Sequence, residues 1–538
     1  METSLYLAAG VAAVAAAVAV LARRLRQSPP ILLVLAGVLI ALTPGAPTVA
    51  MRPDMVMLLF LPPVLYYAAF AMSWQAFRAN LRPIALLAVG AVLFTSVAVA
   101  AVAHIALGLS WALGFLLGAL VSPPDVVAPL AIARRLGAPK RLVDVLEGEG
   151  LVNDATALVL FTFAVQAVTT GHFSIREATG LFAADLIGET LWGLLTGWVI
   201  LNLRRLAKEP RAEVTLSLLT PYVAFWAPHA LGGSGVLACV VSGLYVGVAG
   251  TRLIPSGTRL QALFFWDFLT YLLEGGLFLL TGLQARIVVE RLDSGRWVEL
   301  VAYGLGLSLL VIVVRYLWVF PATYLPRLLW PRLRRRDPAP PWQYPFALAS
   351  TGVRGVVSLA AALSVPIMLP SGAPFPGRDL ILFLTYSVIV CTLVGQGLLL
   401  PWLIRRLGLT EHGRRERATK LERELHARTE MARAALGRLE TTCRAHHLEP
   451  ALIAPLKARH EARVRHLEGE RVGDLDAMLA SRRVQEVEVE LIDVQRGRLN
   501  DLVGEQVIDD EVRRRIERDL DLEEQQIRNA PHEEVARN

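Results

Sequence analysis

The chain has 538 residues, of which 54% are hydrophobic, and its mean hydropathy is +0.48. It carries a net charge of +7 and three cysteines scattered along its length. These cysteines exclude a disulfide framework and a cysteine metal site, and the hydropathy indicates an integral membrane protein. The positive charge before the last quarter of the chain lies between apolar segments, so we interpret it as a topology signal and expect no nucleic-acid binding.

Apolar segments dominate residues 1–409, whereas charge dominates residues 410–538, where Trp, Phe and Tyr are absent. A spanning helix needs roughly 20 mainly apolar residues. We therefore predict an all-α polytopic domain over residues 1–409 and a charged, helical cytoplasmic tail over residues 410–538. The domain is predicted to have about 13 transmembrane helices, at residues 4–22, 31–46, 53–72, 83–107, 111–135, 144–169, 177–203, 212–231, 233–250, 258–284, 298–326, 343–369 and 378–404.

The first apolar segment is also compatible with a signal peptide. It lacks a basic region before it and is followed by Arg23, Arg24 and Arg26, as a retained span is. The positive-inside rule then puts the N-terminus outside and the tail in the cytoplasm. The rule applies because basic residues cluster in alternate loops, at 23–26, 78–82, 134–141, 204–211, 252–259 and 327–336, while the other loops hold Arg52, Arg176, Arg286, Arg291, Arg296 and Arg378.

Two predicted spans are interrupted in the middle. The fifth contains Ser122-Pro123-Pro124-Asp125, and the twelfth contains Thr351-Gly352-Val353-Arg354-Gly355. Adjacent prolines remove backbone donors, and irregular backbone at membrane depth is tolerated only where protein or a cavity surrounds it. With one linker helix, the two breaks fall at corresponding positions of two inverted six-helix repeats, crossing near the midplane. The alternative is that prolines and glycines are simply common in membrane helices.

The start of the sixth span concentrates polar residues in the sequence EGEGLVNDATA, residues 147–157. On a helix, Glu149 and Asn153 share a face, and Asp154 is rotated by one further step of 100°. A carboxylate within an apolar span is costly and marks a functional site by default. We predict that Asp154 and Asp125 offer oxygen ligands to a transported monovalent cation, and that a cation and a proton compete at Asp154. The alternative for Asn153 and Asp154 is a helix-capping pair at the membrane surface.

Arg354 is a second expensive intramembrane charge. We predict that it forms an ion pair with Glu149 and holds the broken helix against the sixth span. The alternative is that Arg354 binds an anion, as in a carboxylate or phosphate transporter.

The tail shows helical spacing of apolar residues over 417–439 and 482–502, which predicts short amphipathic helices or a small bundle. Its basic residues are interpreted as a solvated face, with contact to the membrane surface as the alternative. A regulatory role of the tail is a hypothesis from its position alone.

The chain resembles the bacterial NhaP-type sodium/proton antiporters of the monovalent cation:proton antiporter superfamily. The resemblance covers residues 1–410 and is carried by three motifs, SPPDVVA at 122–128, LEGEGLVNDATA at 146–157 and RGVVSLA at 354–360. It implies ion binding by Asp154 and Asn153 with Asp125 beside them, and support from Glu149, Arg354 and Ser122. It also implies a homodimer.

Three departures from the family pattern reduce the expected number of oxygen ligands. Pro124 replaces a threonine and Gly150 a serine, and Tyr66-Tyr67 follows the Leu-Pro-Pro of the third span where some members have a glutamate. In this superfamily an Asn-Asp pair resembles electroneutral exchangers, so one proton per cation is the simplest expectation.

We predict secondary active exchange of sodium, or lithium, for protons across the cell membrane by alternating access. The expected substrates are the sodium ion and the proton, and the expected partner of the apolar domain is the lipid bilayer. No cofactor is expected. The alternatives are a potassium/proton antiporter and a cation sensor that signals through the tail. The apolar spans contain no HExxH or GxSxG motif, so an enzyme is not expected, and a passive channel would need no titrating carboxylate.

Overall fold

The computed structural model describes residues 2–25, 27–44, 53, 56–171, 175–207, 209–250, 253–290, 296–447, 449–472, 475–505, 507 and 510–528. Over these residues the chain is helical, with an isolated β-bridge between Met368 and Pro374. The predicted all-α fold class is therefore confirmed. The chain divides into two units, Met1–Arg414 and Arg415–Asn538.

The first unit is built from apolar helices joined by short connections. Its helices are α1 Glu2–Leu25, α2 Pro29–Leu42, α3 Val56–Ala71, α4 Trp74–Ala79, α5 Leu81–Leu107, α6 Trp111–Val121, α7 Val127–Arg135, α8 Lys140–Thr170, α9 Ile175–Ala207, α10 Pro210–Ala230, α11 Val236–Ala249, α12 Ser256–Leu283, α13 Ala285–Glu290, α14 Trp297–Leu329, α15 Pro331–Arg336, α16 Gln343–Ser350, α17 Val356–Leu363 and α18 Arg378–Arg406.

Six helical stretches of the described chain are long and apolar enough to cross a membrane, by length and composition. Shorter apolar helices, among them α2, α3, α6 and α11, lie in other predicted spans. The number of about 13 spans stays a prediction, because a broken span contributes two helices that are each too short for a full crossing. Residues 45–46 of the second predicted span and the topology residues Arg26, Arg52, Lys208, Arg252 and Arg291 lie outside the described residues.

The two breaks lie where the sequence predicts them. The first separates α6 from α7 at Pro123-Pro124, which cannot donate backbone hydrogen bonds. The second separates α16 from α17. The backbone nitrogen of Asp125 donates to the carbonyl oxygen of Val353 at 2.6 Å, so the two breaks are in direct contact. This arrangement agrees with the predicted pair of inverted repeats.

The helices α2 and α12 approach each other at two glycines. A Cβ atom at Gly37 or Gly282 would overlap the backbone of the opposite helix. Small residues allow such close packing of membrane helices, where van der Waals contact replaces the hydrophobic effect. This contact fixes α12, which forms one wall of the cavity described below.

One carboxylate joins the ends of three helices of the first unit. Asp337, just after α15, pairs with Arg82 at 2.7 Å, Arg141 at 2.9 Å and Arg327 at 2.8 Å. These arginines lie at the start of α5, in the first turn of α8 and in the last turn of α14. Three of the basic loops that the sequence predicts on one side of the membrane therefore meet at one end of the domain.

We expect Asp337→Asn to lower the thermal stability of the protein, because three guanidinium groups then lose their shared carboxylate. Burial alone would raise the pKa of Asp337, but Arg141, Arg327 and Arg82 hold this pKa below its ordinary value of 3.8. A carboxyl group whose pKa is lower in the folded than in the unfolded protein stabilises the folded state above the ordinary pKa of 3.8. This stabilisation is lost as the pH falls below 3.8 and through the folded-state pKa. Melting curves of the wild type and the variant should differ near neutral pH and converge in strong acid.

Asp144→Asn is the matched control. Its carboxylate is 14% exposed and pairs with Lys140 one turn away, whose side chain is 58% exposed. Pairs between side chains one helical turn apart contribute about 0.3–0.5 kcal/mol, and Asp144 has one such partner where Asp337 has three. Equal melting temperatures of the Asp337 and Asp144 variants at neutral pH would contradict the prediction.

The tail consists of helices with apolar stripes, as the sequence predicts for 417–439 and 482–502. Its helices are α19 Leu409–Ala445, α20 Pro450–Val472, α21 Leu475–Gly504 and α22 Asp510–Arg528. Leu425 and Ala432 pack against Val464 and Leu467, which pairs α19 with α20. A second apolar cluster pairs α21 with α22 through Ile492, Leu499 and Leu520.

Candidate functional site

Each broken span consists of a first half-helix, α6 or α16, and a second half-helix, α7 or α17. A buried arginine lies at the C-terminal end of each first half-helix. Arg354, 1% exposed, donates to the carbonyl oxygens of Val121 at 2.8 Å and Ser122 at 3.4 Å, at the end of α6. Arg315 of α14 donates to the carbonyl oxygen of Leu348, near the end of α16, from Nε at 3.3 Å and Nη2 at 3.2 Å. Carbonyls in the last turn lack partners within the helix, and a cation is favoured there. Each break is therefore stabilised by a guanidinium group.

The predicted ion pair between Glu149 and Arg354 is wrong. Glu149, fully buried on α8, accepts two hydrogen bonds from Arg315, between Nη1 and Oε1 at 2.6 Å and between Nη2 and Oε2 at 2.9 Å. The prediction considered one intramembrane arginine, whereas Arg315 lies inside the eleventh predicted span and takes the same carboxylate. Backbone carbonyls satisfy Arg354 without a carboxylate.

Asp125 lies at the N-terminal ends of the second half-helices, α7 and α17. Its Oδ1 accepts a hydrogen bond from the backbone nitrogen of Val127, at the start of α7, at 2.9 Å. Its carboxylate also packs against Gly355, the residue before α17, where a Cβ atom would overlap it. A helix N-terminus carries partial positive charge and stabilises a carboxylate. The charges at the crossing thus match the helix ends, with arginines at C-termini and Asp125 at N-termini.

Asn153 and Ser122, both predicted at the ion site, bind the protein backbone. Asn153 Nδ2 donates to the carbonyl oxygen of Pro124 at 2.6 Å, and its Oδ1 is buried without a hydrogen-bond partner among the described residues. The Ser122 hydroxyl donates to the carbonyl oxygen of Ala119 at 3.2 Å. Neither side chain lines the cavity. Asn153 ties the site helix α8 to the first break.

Asp154 and Asp125 line a cavity of about 360 Å³ between α3, α8, α12 and the breaks. The 100° step between consecutive helical residues turns Asp154 toward the cavity, whereas Glu149 and Asn153 are fully buried. The cavity extends to Arg134, near the end of α7, whose side chain is 60% exposed. It therefore opens at the end of the domain where the basic loop 134–141 lies.

Sequence analysis overlooked two acidic residues of the cavity, Asp267 and Glu274 on α12. Together with Thr270 they occupy positions i, i+3 and i+7 of one helix face, and all three line the cavity. The Tyr67 hydroxyl of α3 donates a hydrogen bond to Asp267. The signal was present, because each acidic residue interrupts an apolar span in the way that identified Asp154.

The three departures from the family pattern have structural counterparts. The carbonyl oxygen of Pro124 accepts the hydrogen bond from Asn153. A Cβ atom at Gly150 would overlap the side chain of Val126. Tyr67 faces α12 and binds Asp267. The oxygen atoms of the cavity therefore come to a larger extent from α12 than the sequence predicts.

Two broken helices that meet beside a carboxylate-lined cavity, in an apolar helical domain, define a secondary transporter with an ion site between its repeats. In general, a carboxylate can bind either a cation or a proton, and competition between the two is sufficient for exchange.

The sequence model described as "Sodium/hydrogen exchanger, transmembrane" matches residues 10–406, and the chain belongs to this family of multi-pass membrane transporters. An uncharacterised Na⁺/H⁺ exchanger of Mycobacterium tuberculosis is 37% identical over 525 residues, 96% of this chain and 95% of that protein. The Na⁺/H⁺ antiporter ApNhaP of Aphanothece halophytica is 32% identical over 388 residues, 71% of this chain and 70% of the relative.

The fold is also similar to a solved structure. The sodium proton antiporter MjNhaP1 from Methanocaldococcus jannaschii aligns with 76% of this chain and 99% of its own, with a TM-score of 0.59 and 21% identity. The resemblance to NhaP-type antiporters that the motifs indicate is confirmed by the family match and these relatives.

Proposed function

We propose that this protein exchanges sodium ions for protons across a membrane, and that the two ions compete at Asp154. The observation that carries the proposal is that Asp154 lines the cavity beside the crossing of two broken helices. Family membership and the names of the antiporter relatives support the same activity. Asp125 lies beside Asp154 in the cavity, and Asn153 fixes α8 against the first break.

The cycle follows from the competition at one carboxylate. A cation that enters the cavity displaces the proton from Asp154, and the loaded site is then exposed to the other side of the membrane. There the cation leaves and a proton takes its place. Because Asn153 has no proton to release, the exchange of one proton per cation through Asp154 is electroneutral.

The protein is proposed to lie in the cell membrane with its N-terminus outside and its tail in the cytoplasm. The basic loops that meet at Asp337 support this orientation. The cavity reaches the surface at Arg134, near the same set of loops, so the described conformation faces the cytoplasm. A homodimer is proposed from the family resemblance.

The proposal is tested with purified protein in liposomes that contain a pH-sensitive dye. Sodium, lithium and potassium are added in turn to wild type and to Asp154→Asn. We expect sodium-dependent proton movement in the wild type and the rate of empty liposomes in the variant, because an amide cannot exchange a proton.

Glu290→Gln is the matched control, since Glu290 pairs with Arg286 one turn away and its side chain is 55% exposed. Full activity of Asp154→Asn would show that Asp154 takes no part in the exchange. Proton movement with potassium alone would identify a potassium/proton antiporter. A protein that binds sodium but moves no protons would be a cation sensor.

A further inference from the structure

Glu274 is a carboxylate within the membrane domain for which the exchange mechanism above has no role. It lies near the middle of α12, one of the long apolar helices, and lines the same cavity as Asp154 and Asp125. Among the described residues, its carboxylate has no hydrogen-bond or ion-pair partner. An ionisable residue at this depth is costly and is retained for function by default.

The other carboxylates of the cavity differ in what they bind. Asp125 accepts a hydrogen bond from the backbone nitrogen of Val127. Asp267 accepts one from the hydroxyl of Tyr67. Asp154 and Glu274 have no such donor within the described chain. These two carboxyl groups therefore keep all their oxygen lone pairs available to a cation in the cavity.

A sodium ion requires several oxygen ligands, and two of the groups near the first break are already engaged with the protein. The Pro124 carbonyl oxygen accepts a hydrogen bond from Asn153, and the Ser122 hydroxyl points to Ala119. Gly150 has no side chain to contribute. On α12, Glu274 lies one turn from Thr270, which also lines the cavity, unlike Ser122. The Thr270 hydroxyl donates to the carbonyl oxygen of Trp266 at 2.7 Å and keeps its lone pairs for a cation.

We propose that Glu274 is a ligand of the transported cation and determines the affinity of the cavity for it. This inference rests on the proposed function in that it assigns the ligand to the same site. The cation then lies in the cavity that Asp154 of α8, Asp125 of the first break and Glu274 of α12 line together, with water completing its coordination. A cation held by both helices also explains why α12 carries a carboxylate at a position where an apolar residue would insert at lower cost.

The test measures the KM for sodium in liposomes and, separately, the rise of melting temperature with sodium in detergent. We expect Glu274→Gln to raise the KM for sodium at least about tenfold, equivalent to about 1.4 kcal/mol, while activity at saturating sodium is largely kept. The sodium concentration needed for thermal stabilisation should rise by a similar factor. If Glu274→Gln does not fold, Glu274→Asp replaces it, because a shortened carboxylate should also raise the KM.

Glu290→Gln is the matched control, because it also neutralises a glutamate but lies outside the cavity lining, where it pairs with Arg286 one turn away and is 55% exposed. Its KM should stay within about threefold of the wild type. A KM of Glu274→Gln within about threefold of the wild type, or an equal rise in Glu290→Gln, would overturn the inference. Sodium stabilisation that depends on Glu274 without proton exchange would instead refute the proposed function and leave the ligand assignment standing.

Discussion

We expect Arg315→Met to destabilise the folded protein by about 3–5 kcal/mol, the usual cost of removing one partner of a buried ion pair. Glu149 would stay fully buried on α8 without the two hydrogen bonds that it accepts from Arg315. The carbonyl oxygen of Leu348, at the end of α16, would lose its two hydrogen bonds from Arg315 and keep the one from the Thr351 hydroxyl. Unfolding in denaturing detergent, followed by the loss of helical signal, measures the change.

A double variant separates the loss of the pair from the loss of packing. Arg315→Met combined with Glu149→Leu removes both charges and should recover much of the stability, because a hydrophobic pair of similar volume is often no worse than a buried ion pair. Glu290→Gln serves as the exposed control and should change stability by less than about 1 kcal/mol. A single Arg315 variant as stable as this control would show that the buried pair is dispensable.

Gly355→Ala is expected to reduce exchange at least about tenfold with little change in folding. Its Cβ atom would overlap the carboxylate of Asp125, which must then leave the cavity and the N-termini of α7 and α17. The backbone of Gly355, with φ −131° and ψ −161°, is extended and open to any residue, so the effect is steric. Initial rates of sodium-dependent proton movement in liposomes measure it.

Gly306→Ala is the matched substitution on α14, since a Cβ atom there meets nothing within 4 Å. Alanine is also favoured over glycine within a helix by about 1 kcal/mol, so this variant should fold and exchange normally. If Gly355→Ala kept the rate of Gly306→Ala, the position of Asp125 would have no bearing on exchange.

The candidate site was predictable where its signal is local. Asp154 and Asp125 are costly charges beside apolar runs, and prolines and glycines mark both breaks. The pairing of Glu149 was not predictable, because Arg315 and Arg354 both interrupt apolar spans and spacing does not say which one reaches α8. Glu274 and Asp267 carried the same local signal as Asp154 but were not considered.

The sequence by itself determined the helical membrane class, the separate charged tail, the positions of the two breaks and the carboxylate of the sixth span. These features follow from composition, helical periodicity and the backbone chemistry of proline and glycine, all of which act within a few residues. Only the tertiary structure decided that Arg315 binds Glu149, that Arg354 caps α6 and that α12 brings Glu274 to the cavity. Such contacts join residues more than a hundred positions apart, and they depend on which helices become neighbours when the whole domain packs.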